Sequence, residues 1–259
     1  MEVVIAPAAE LARLAADAVE ELLRAVPQAV LGLATGSSPL AVYDELASRH
    51  AEGLSFASAR AFMLDEYVGL PSHHPERYRN VIEKELTSRV DFAPGAVQGP
   101  DGLAADLPAA CAAYEASIAD AGGVDLQILG IGTHGHIAFN EPGSSLASRT
   151  RIKTLTKQTR EDNARFFGGF VDDVPRHCLT QGLATIMSAR HLVLLASGRA
   201  KAEAVHQLVE GPVSAMWPAT IMQLHPHATV LVDDAAASRL QLADYFRQTY
   251  ADKPDWQGL

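Results

Sequence analysis

Short apolar runs recur along the chain, and each breaks off into glycine, hydroxyl, carboxylate or imidazole side chains before a stretch with helical spacing. They are Val3–Ile5, Ala29–Leu33, Ala59–Leu64, Val124–Leu129, His191–Ala196 and Thr229–Val232. Runs this short and this continuously apolar suit strands buried on both faces, and the alternation with helices predicts an α/β fold around a parallel sheet. A length of 259 residues accommodates one large α/β domain or two small ones, and 48% hydrophobic content supports a sizeable core.

Between the runs the pattern predicts helices. Pro7 opens one that carries Leu11, Leu14, Ala15, Ala18 and Leu22 on one face, and Pro27 closes it. Others contain Val42, Leu46 and Ala47; Glu76 to Leu86; Ala110, Ala113, Ile118 and Ala121; Leu179 to Met187; Val205, Leu208 and Val209; Pro218 to Leu224; and the region around Leu240 to Tyr245. Phe92 to Leu107, with its clustered Gly and Pro, reads as a surface connection. Residues 155–175 mix charges, paired aromatics and Gly168-Gly169, a composition that suits an active-site lid and equally a plain surface helix and loop.

The net charge of -10 argues against nucleic acid or an anionic membrane as partner. No apolar run approaches a membrane span, and Met1 to Pro7 lacks the features of a signal peptide, so the expected location is the cytoplasm. Cys111 and Cys178 are far apart and outside any C-x-x-C pattern, which makes them reduced core thiols rather than a disulfide or zinc pair.

Chemistry gathers where runs end. Thr35-Gly36-Ser37 lies between a strand and a helix, where a nest of backbone N–H groups can hold a phosphate; an ordinary turn capped by Ser37 or Ser38 fits the same residues. Asp65-Glu66 follows the third run, and in a continuing strand only one of the two faces a cleft. After Leu129 the chain runs through Gly130-Ile131-Gly132-Thr133-His134-Gly135-His136 to Glu141-Pro142, and after Ala196 it reaches Arg199 and Lys201. In a parallel sheet these ends share one edge. Lys201 and Arg165 supply cations for an anionic small molecule, and the acids and imidazoles suit acid–base chemistry on it. His134-x-His136 with Glu141 also has the look of a zinc site, but further ligands at suitable spacing are missing, so neither metal nor organic cofactor is expected. His73 and His74 read as exposed loop residues.

Taken together, Leu64-Asp65-Glu66-Tyr67-Val68-Gly69-Leu70, Gly132 to Pro142, Ser145 to Leu155, Thr35 to Pro39 and Met216-Trp217 resemble the glucosamine-6-phosphate deaminase family over nearly the whole chain. The resemblance implies a single doubly wound, Rossmann-like α/β domain over residues 1–259, with helices on both faces of a mainly parallel sheet. It also implies conversion of glucosamine 6-phosphate and water to fructose 6-phosphate and ammonia, in amino-sugar catabolism, without a cofactor. His136 matches the ring-opening histidine, Glu141 its acidic partner, and Asp65 the base that moves a proton from C2 to C1. Thr35, Gly36, Ser37, Arg165 and Lys201 match phosphate-binding positions. His134 departs from the family pattern, which places Asp there in well-studied members. Ser144, Ser145, Arg151 and Lys153 match the site for the activator N-acetylglucosamine 6-phosphate in hexameric members, which implies an allosteric homo-oligomer; an interface strand without a ligand fits those residues equally. Competing readings are a 6-phosphogluconolactonase-like hydrolase, a galactosamine-6-phosphate deaminase and a sugar-phosphate sensor without turnover.

Overall fold

The computed structural model describes residues 1–254 and 256–259. In chain order the elements are β1 (Glu2–Ile5), α1 (Ala8–Ala25), β2 (Val30–Leu33), α2 (Ser37–Ala51), β3 (Arg60–Met63), β4 (Asp65–Tyr67), α3 (Tyr78–Ile82), β5 (Val97–Gln98), α4 (Leu107–Asp120) and β6 (Leu126–Gly130). They continue with β7 (Arg151–Thr154), α5 (Lys157–Asn163), β8 (His177–Thr180), α6 (Leu183–Ile186), β9 (His191–Ala196), α7 (Ala202–Glu210), β10 (Ala228–Val232) and α8 (Ala243–Ala251).

Seven strands form one sheet in the order β1-β10-β9-β6-β2-β3-β5, and every pairing in it is parallel. From β2 the chain builds outward through β3 and β5, then returns to lay β6 on the other side of β2. The winding therefore reverses between β2 and β6, and a crevice opens at their carboxyl ends. Side chains alternate between two cores. Leu31, Leu33, Val193 and Leu195 pack with α1 and α2 on one face, while Val30, Leu192, Leu194 and Ala196 pack with α4 and α7 on the other. Each such buried aliphatic contributes roughly 1.5–3 kcal/mol. At the reversal Gly32 sits opposite Gln127, and a Cβ on Gly32 would lie 2.0 Å from the Gln127 side-chain oxygen, so only glycine admits that amide.

A second, antiparallel sheet has the order β4-β8-β7. Its register sets Asp65 and Arg151 on either side of Thr180, and Tyr67 and Lys153 on either side of Cys178. Tyr67, Phe139, Leu155, Ala164, Phe167 and Cys178 belong to a third apolar cluster that ties residues 155–175 to this sheet.

The predicted runs all form strands, with boundaries displaced by a residue or two. Other expectations are corrected. Leu179 to Met187 is not one helix, because residues 177–180 pair on both sides as the middle strand β8 before the single turn of α6. The connection from Phe92 to Leu107 contains β5, a two-residue edge strand. On α4 the buried side is Cys111, Tyr114 and Ile118, while Ala113 is exposed. The helix expected at Glu76 to Leu86 starts at Tyr78 and widens into a π turn over Glu83–Thr87, and the last helix lies further on, at Ala243–Ala251.

Candidate active site

The carboxyl ends of β2, β6 and β9 are neighbours in the sheet, and β4 begins one residue after β3. After β2, Gly36 adopts φ +103° and α2 starts at once with no side chain capping its N-terminus. Its first backbone N–H groups therefore have no side-chain cap among the described residues, the arrangement that receives a phosphate oxygen. Thr35 is half-buried beside Tyr78, and Gly36 and Ser37 are exposed; Ser37 is the first helical residue rather than the cap.

After β9, Gly198 adopts φ +88° and launches a turn that carries Lys201. Asp233, beyond the end of β10, fixes this turn by accepting from Ser197 Oγ (2.6 Å), Gly198 N (3.0 Å) and Ala236 N (2.7 Å). Burial lowers the pKa of Lys201, the nearby Arg165 guanidinium lowers it further, and Asp162 opposes them. Two cations forced together in this way favour an arriving dianion.

The loop after β6 is tightly wound. Gly132 N donates to His136 O (2.9 Å), Gly135 N donates to Gly132 O (3.0 Å), and the Asn140 amide donates to Ile137 O (3.1 Å) and Gln181 O (2.9 Å). Gly135, at φ +70°, lies against Trp217. The His136 ring rests against Gly132, with Nδ1 3.6 Å from Glu141 Oε2 and without a hydrogen-bond partner among the described residues. Burial holds the His136 pKa below its ordinary value; Glu141 counteracts this, Lys201 and His134 reinforce it, and Asp162 opposes it. Glu141 itself is buried and accepts a short hydrogen bond from the Thr159 hydroxyl.

Asp65 is buried, and burial together with the Glu66 charge pushes its pKa up to about 8. Glu66 faces away, accepting backbone N–H bonds at the start of α3. The site thus combines a carboxylate poised to exchange a proton near neutrality with an imidazole that is neutral there.

Of the residues expected from sequence, Thr35 to Ser37, His134 to Glu141 and Lys201 follow β2, β6 and β9, Asp65, Arg151 and Lys153 lie on the second sheet, Ser144 and Ser145 lie in the loop before β7, and Arg165 follows α5. His134 is exposed, with Nδ1 3.4 Å from Thr133 Oγ1. Ser144 is buried with an unpartnered hydroxyl among the described residues, and Ser145 is exposed. Arg151 and Lys153 stand two apart on β7, half-buried. Glu115 on α4 holds the entrance of that strand through Thr150 N (2.8 Å) and the Arg149 guanidinium (2.5 Å). His74 stacks on Phe167, and no three metal-ligating side chains gather among the described residues. No helix among them is long and apolar enough to cross a membrane.

Sequence reasoning missed Thr159, Asp162, Asn163 and Asp233. The first three fall at three- and four-residue spacing on α5, so only a helix assignment within residues 155–175 would have grouped them.

Comparison with known proteins identifies the family. Residues 5–231 match the family model described as Glucosamine-6-phosphate isomerases/6-phosphogluconolactonase. The glucosamine-6-phosphate deaminases of Beutenbergia cavernae and Mycolicibacterium smegmatis are 78% and 74% identical to this chain, each over the full length of both proteins. A solved structure of a monomeric glucosamine-6-phosphate deaminase superposes with a TM-score of 0.90 at 43% identity, covering 92% of this chain and 99% of that one. A 6-phosphogluconolactonase from Trypanosoma cruzi shares the fold, with a TM-score of 0.76 at 21% identity over 93% of this chain and 97% of its own. By sequence over its whole length, the chain belongs to the glucosamine-6-phosphate isomerase/6-phosphogluconolactonase family.

Proposed function

We propose that this protein is a glucosamine-6-phosphate deaminase, converting D-glucosamine 6-phosphate and water to D-fructose 6-phosphate and ammonia in amino-sugar metabolism. The observation that carries this reading within the family is Asp65, a buried carboxylate with no side-chain hydrogen bond among the described residues, in addition to the His136–Glu141 pair. Hydrolysis of a lactone needs no base for a carbon-bound proton, whereas moving hydrogen from C2 to C1 does.

In this mechanism the phosphate binds the N-terminus of α2 at Thr35, Gly36 and Ser37 and is clasped by Lys201 and Arg165. Residues 155–175 act as a lid that brings Arg165 in. His136 takes the proton of the anomeric hydroxyl and returns one to the ring oxygen, opening the sugar to the aldehyde. Asp65 then removes the C2 proton while the C1 oxygen takes one from water, giving an enolamine and a hydroxide that is neutralised by the proton released when water later adds to the iminium. The same carboxyl delivers its proton to C1, leaving an iminium at C2. Water adds there and ammonia departs, so the net reaction hydrolyses a C–N bond. The depressed pKa of His136 keeps it neutral near pH 7, the form able both to accept and to return a proton.

Ser144, Ser145, Arg151 and Lys153 support a second anion site, for which N-acetylglucosamine 6-phosphate is the proposed activator. Such regulation would accompany a homo-oligomer, whereas the solved relative at 43% identity is described as monomeric. A phosphorylated small-molecule substrate suits the cytoplasm.

The decisive assay is release of ammonia and fructose 6-phosphate, with glucosamine 6-phosphate, galactosamine 6-phosphate and 6-phosphogluconolactone run side by side. Stoichiometric release from the first alone is expected. Turnover of the lactone alone, or binding without turnover, would overturn the assignment.

A further inference from the structure

Helix α5 touches the acid–base pair directly. Thr156 caps it: the Thr156 hydroxyl accepts from Thr159 N (3.1 Å) and donates to Thr159 Oγ1 (3.0 Å). A hydroxyl has one proton, and with its acceptor side occupied Thr159 spends that proton on Glu141 Oε1. The other oxygen of the same carboxylate faces His136 Nδ1 at 3.6 Å, beyond a good hydrogen bond, and Nδ1 is buried without a partner among the described residues. Leaving such a nitrogen unmatched is unfavourable, and a shift of under ~1 Å in Glu141 would satisfy it.

The same helix reaches two further parts of the site. Asn163, one turn on from Thr159, donates to Tyr67 Oη (2.9 Å), and Tyr67 lies on the strand that carries Asp65. Arg165 follows in the next turn and is near enough to Lys201 to disfavour its charge. A movement of α5 that brings Arg165 onto a phosphate must therefore carry Thr159, and through it Glu141.

We propose that Thr159 is a positioning residue that transmits the position of helix α5 to Glu141, so that phosphate capture by Arg165 and Lys201 brings Glu141 within hydrogen-bond range of His136. The inference rests on the deaminase reading and deepens it, by linking the binding of one end of the substrate to acid–base chemistry at the other. The charged and titratable groups facing His136 are Glu141 and His134 from its own loop, Lys201 from the turn after β9 and Asp162 from α5. A bound phosphate adds its own negative charge to these, so the effect of Thr159 must be read as a difference between variants that bind the same anion.

The test compares wild type, Thr159→Val, which keeps the shape and removes the hydroxyl, and Thr159→Ser, which restores it. Steady-state kinetics with glucosamine 6-phosphate across pH are paired with an NMR titration of His136, with and without saturating inorganic phosphate. Thr159→Val is expected to lower kcat by about 10–100-fold with KM within about twofold, the scale set by sub-ångström misplacement of a reacting group. His136 should titrate at lower pH in this variant, phosphate should raise that value less than in wild type, and Thr159→Ser should recover each property. Unchanged kcat and titration, a rise in KM alone, or failure of serine to rescue would overturn the relay. Absence of turnover in wild type would instead count against the deaminase reading, and the phosphate-dependent NMR difference between wild type and Thr159→Val would still decide the relay.

Discussion

Asp65 and Glu66 are consecutive in β4 and face opposite ways. Glu66 accepts backbone N–H bonds from Tyr67 (2.9 Å), Tyr78 (3.0 Å) and Arg79 (3.0 Å), whereas Asp65 shares its face with Thr180 and Arg151 and accepts none among the described residues. The Arg77 guanidinium, 3.7 Å from Glu66, adds to those bonds in opposing its burial. One carboxylate therefore anchors α3, and its charge helps push the other up to about pH 8.

Asp65 must be ionised to take a proton from carbon. Its raised pKa means that kcat/KM, which reports the free enzyme, climbs with pH through about 8 before levelling. Asp65→Asn should cost about 10²–10⁴-fold in kcat, the usual contribution of a positioned base. A profile flat across that range in the wild-type enzyme would rule Asp65 out as the titrating base.

Glu66→Gln separates the anchor from the charge. Losing the negative neighbour should lower the pKa of Asp65 and move the rise in kcat/KM to lower pH. Its amide nitrogen would also confront backbone donors, destabilising the fold by about 1–3 kcal/mol in urea titrations. If the profile stays in place while stability falls, burial alone sets the Asp65 pKa.

Much of this was legible in the chain. The strand ends at Thr35–Ser37, Asp65, His136 and Lys201 were legible because buried parallel strands are continuously apolar and stop abruptly. The second sheet was not, since β7 is the basic stretch Arg151–Thr154 and β8 reads as part of a helix until both its neighbours are known. β5 is too short to leave a pattern. Thr159 was invisible for a different reason: its importance lies in a bond to Glu141, eighteen residues away, and a threonine carries no sequence signal of that partner.

His134 stands two residues before His136 and disfavours its charged form. Exchanging it for aspartate replaces a group that opposes protonation by one that supports it. In His134→Asp the His136 pKa should rise, and the pH dependence of ring opening should move upward with it. An unaltered His136 titration by NMR would show that solvent screens this exposed position.

The far end of the sheet makes one contribution to acid stability. His191 stacks on His227 at 3.6 Å and bonds Thr229 Oγ1 at 2.9 Å, and burial, then the charges of His227, His225 and Lys253, hold its pKa at about 3. In the unfolded chain a histidine titrates near pH ~6.5. Between these values the unfolded state binds the proton and the native state does not, so stability falls as pH drops from about 6.5 toward 3. His191→Gln, which cannot titrate, should show a shallower loss of unfolding midpoint over that window. Equal slopes for the two proteins would place the acid sensitivity elsewhere.

Gly132 tests whether the His136 orientation is set by backbone contact. A Cβ there would lie 2.1 Å from His136 Cε1 and 2.2 Å from Nε2, far inside van der Waals contact, so Gly132→Ala must displace the ring or the loop. The loop resists, because Asn140 pins it to Ile137 and Gln181 from a buried position. The imidazole, with Nδ1 unpartnered among the described residues, is the freer of the two and should rotate away from its present approach to Glu141. The proposed phosphate-binding residues lie on other segments, at the start of α2 and beyond β9, so substrate affinity should survive while kcat falls by about 10²-fold. A proportionate rise in KM with kcat preserved would mean instead that the whole loop had shifted and that Gly132 serves the architecture of the cleft rather than the aim of His136.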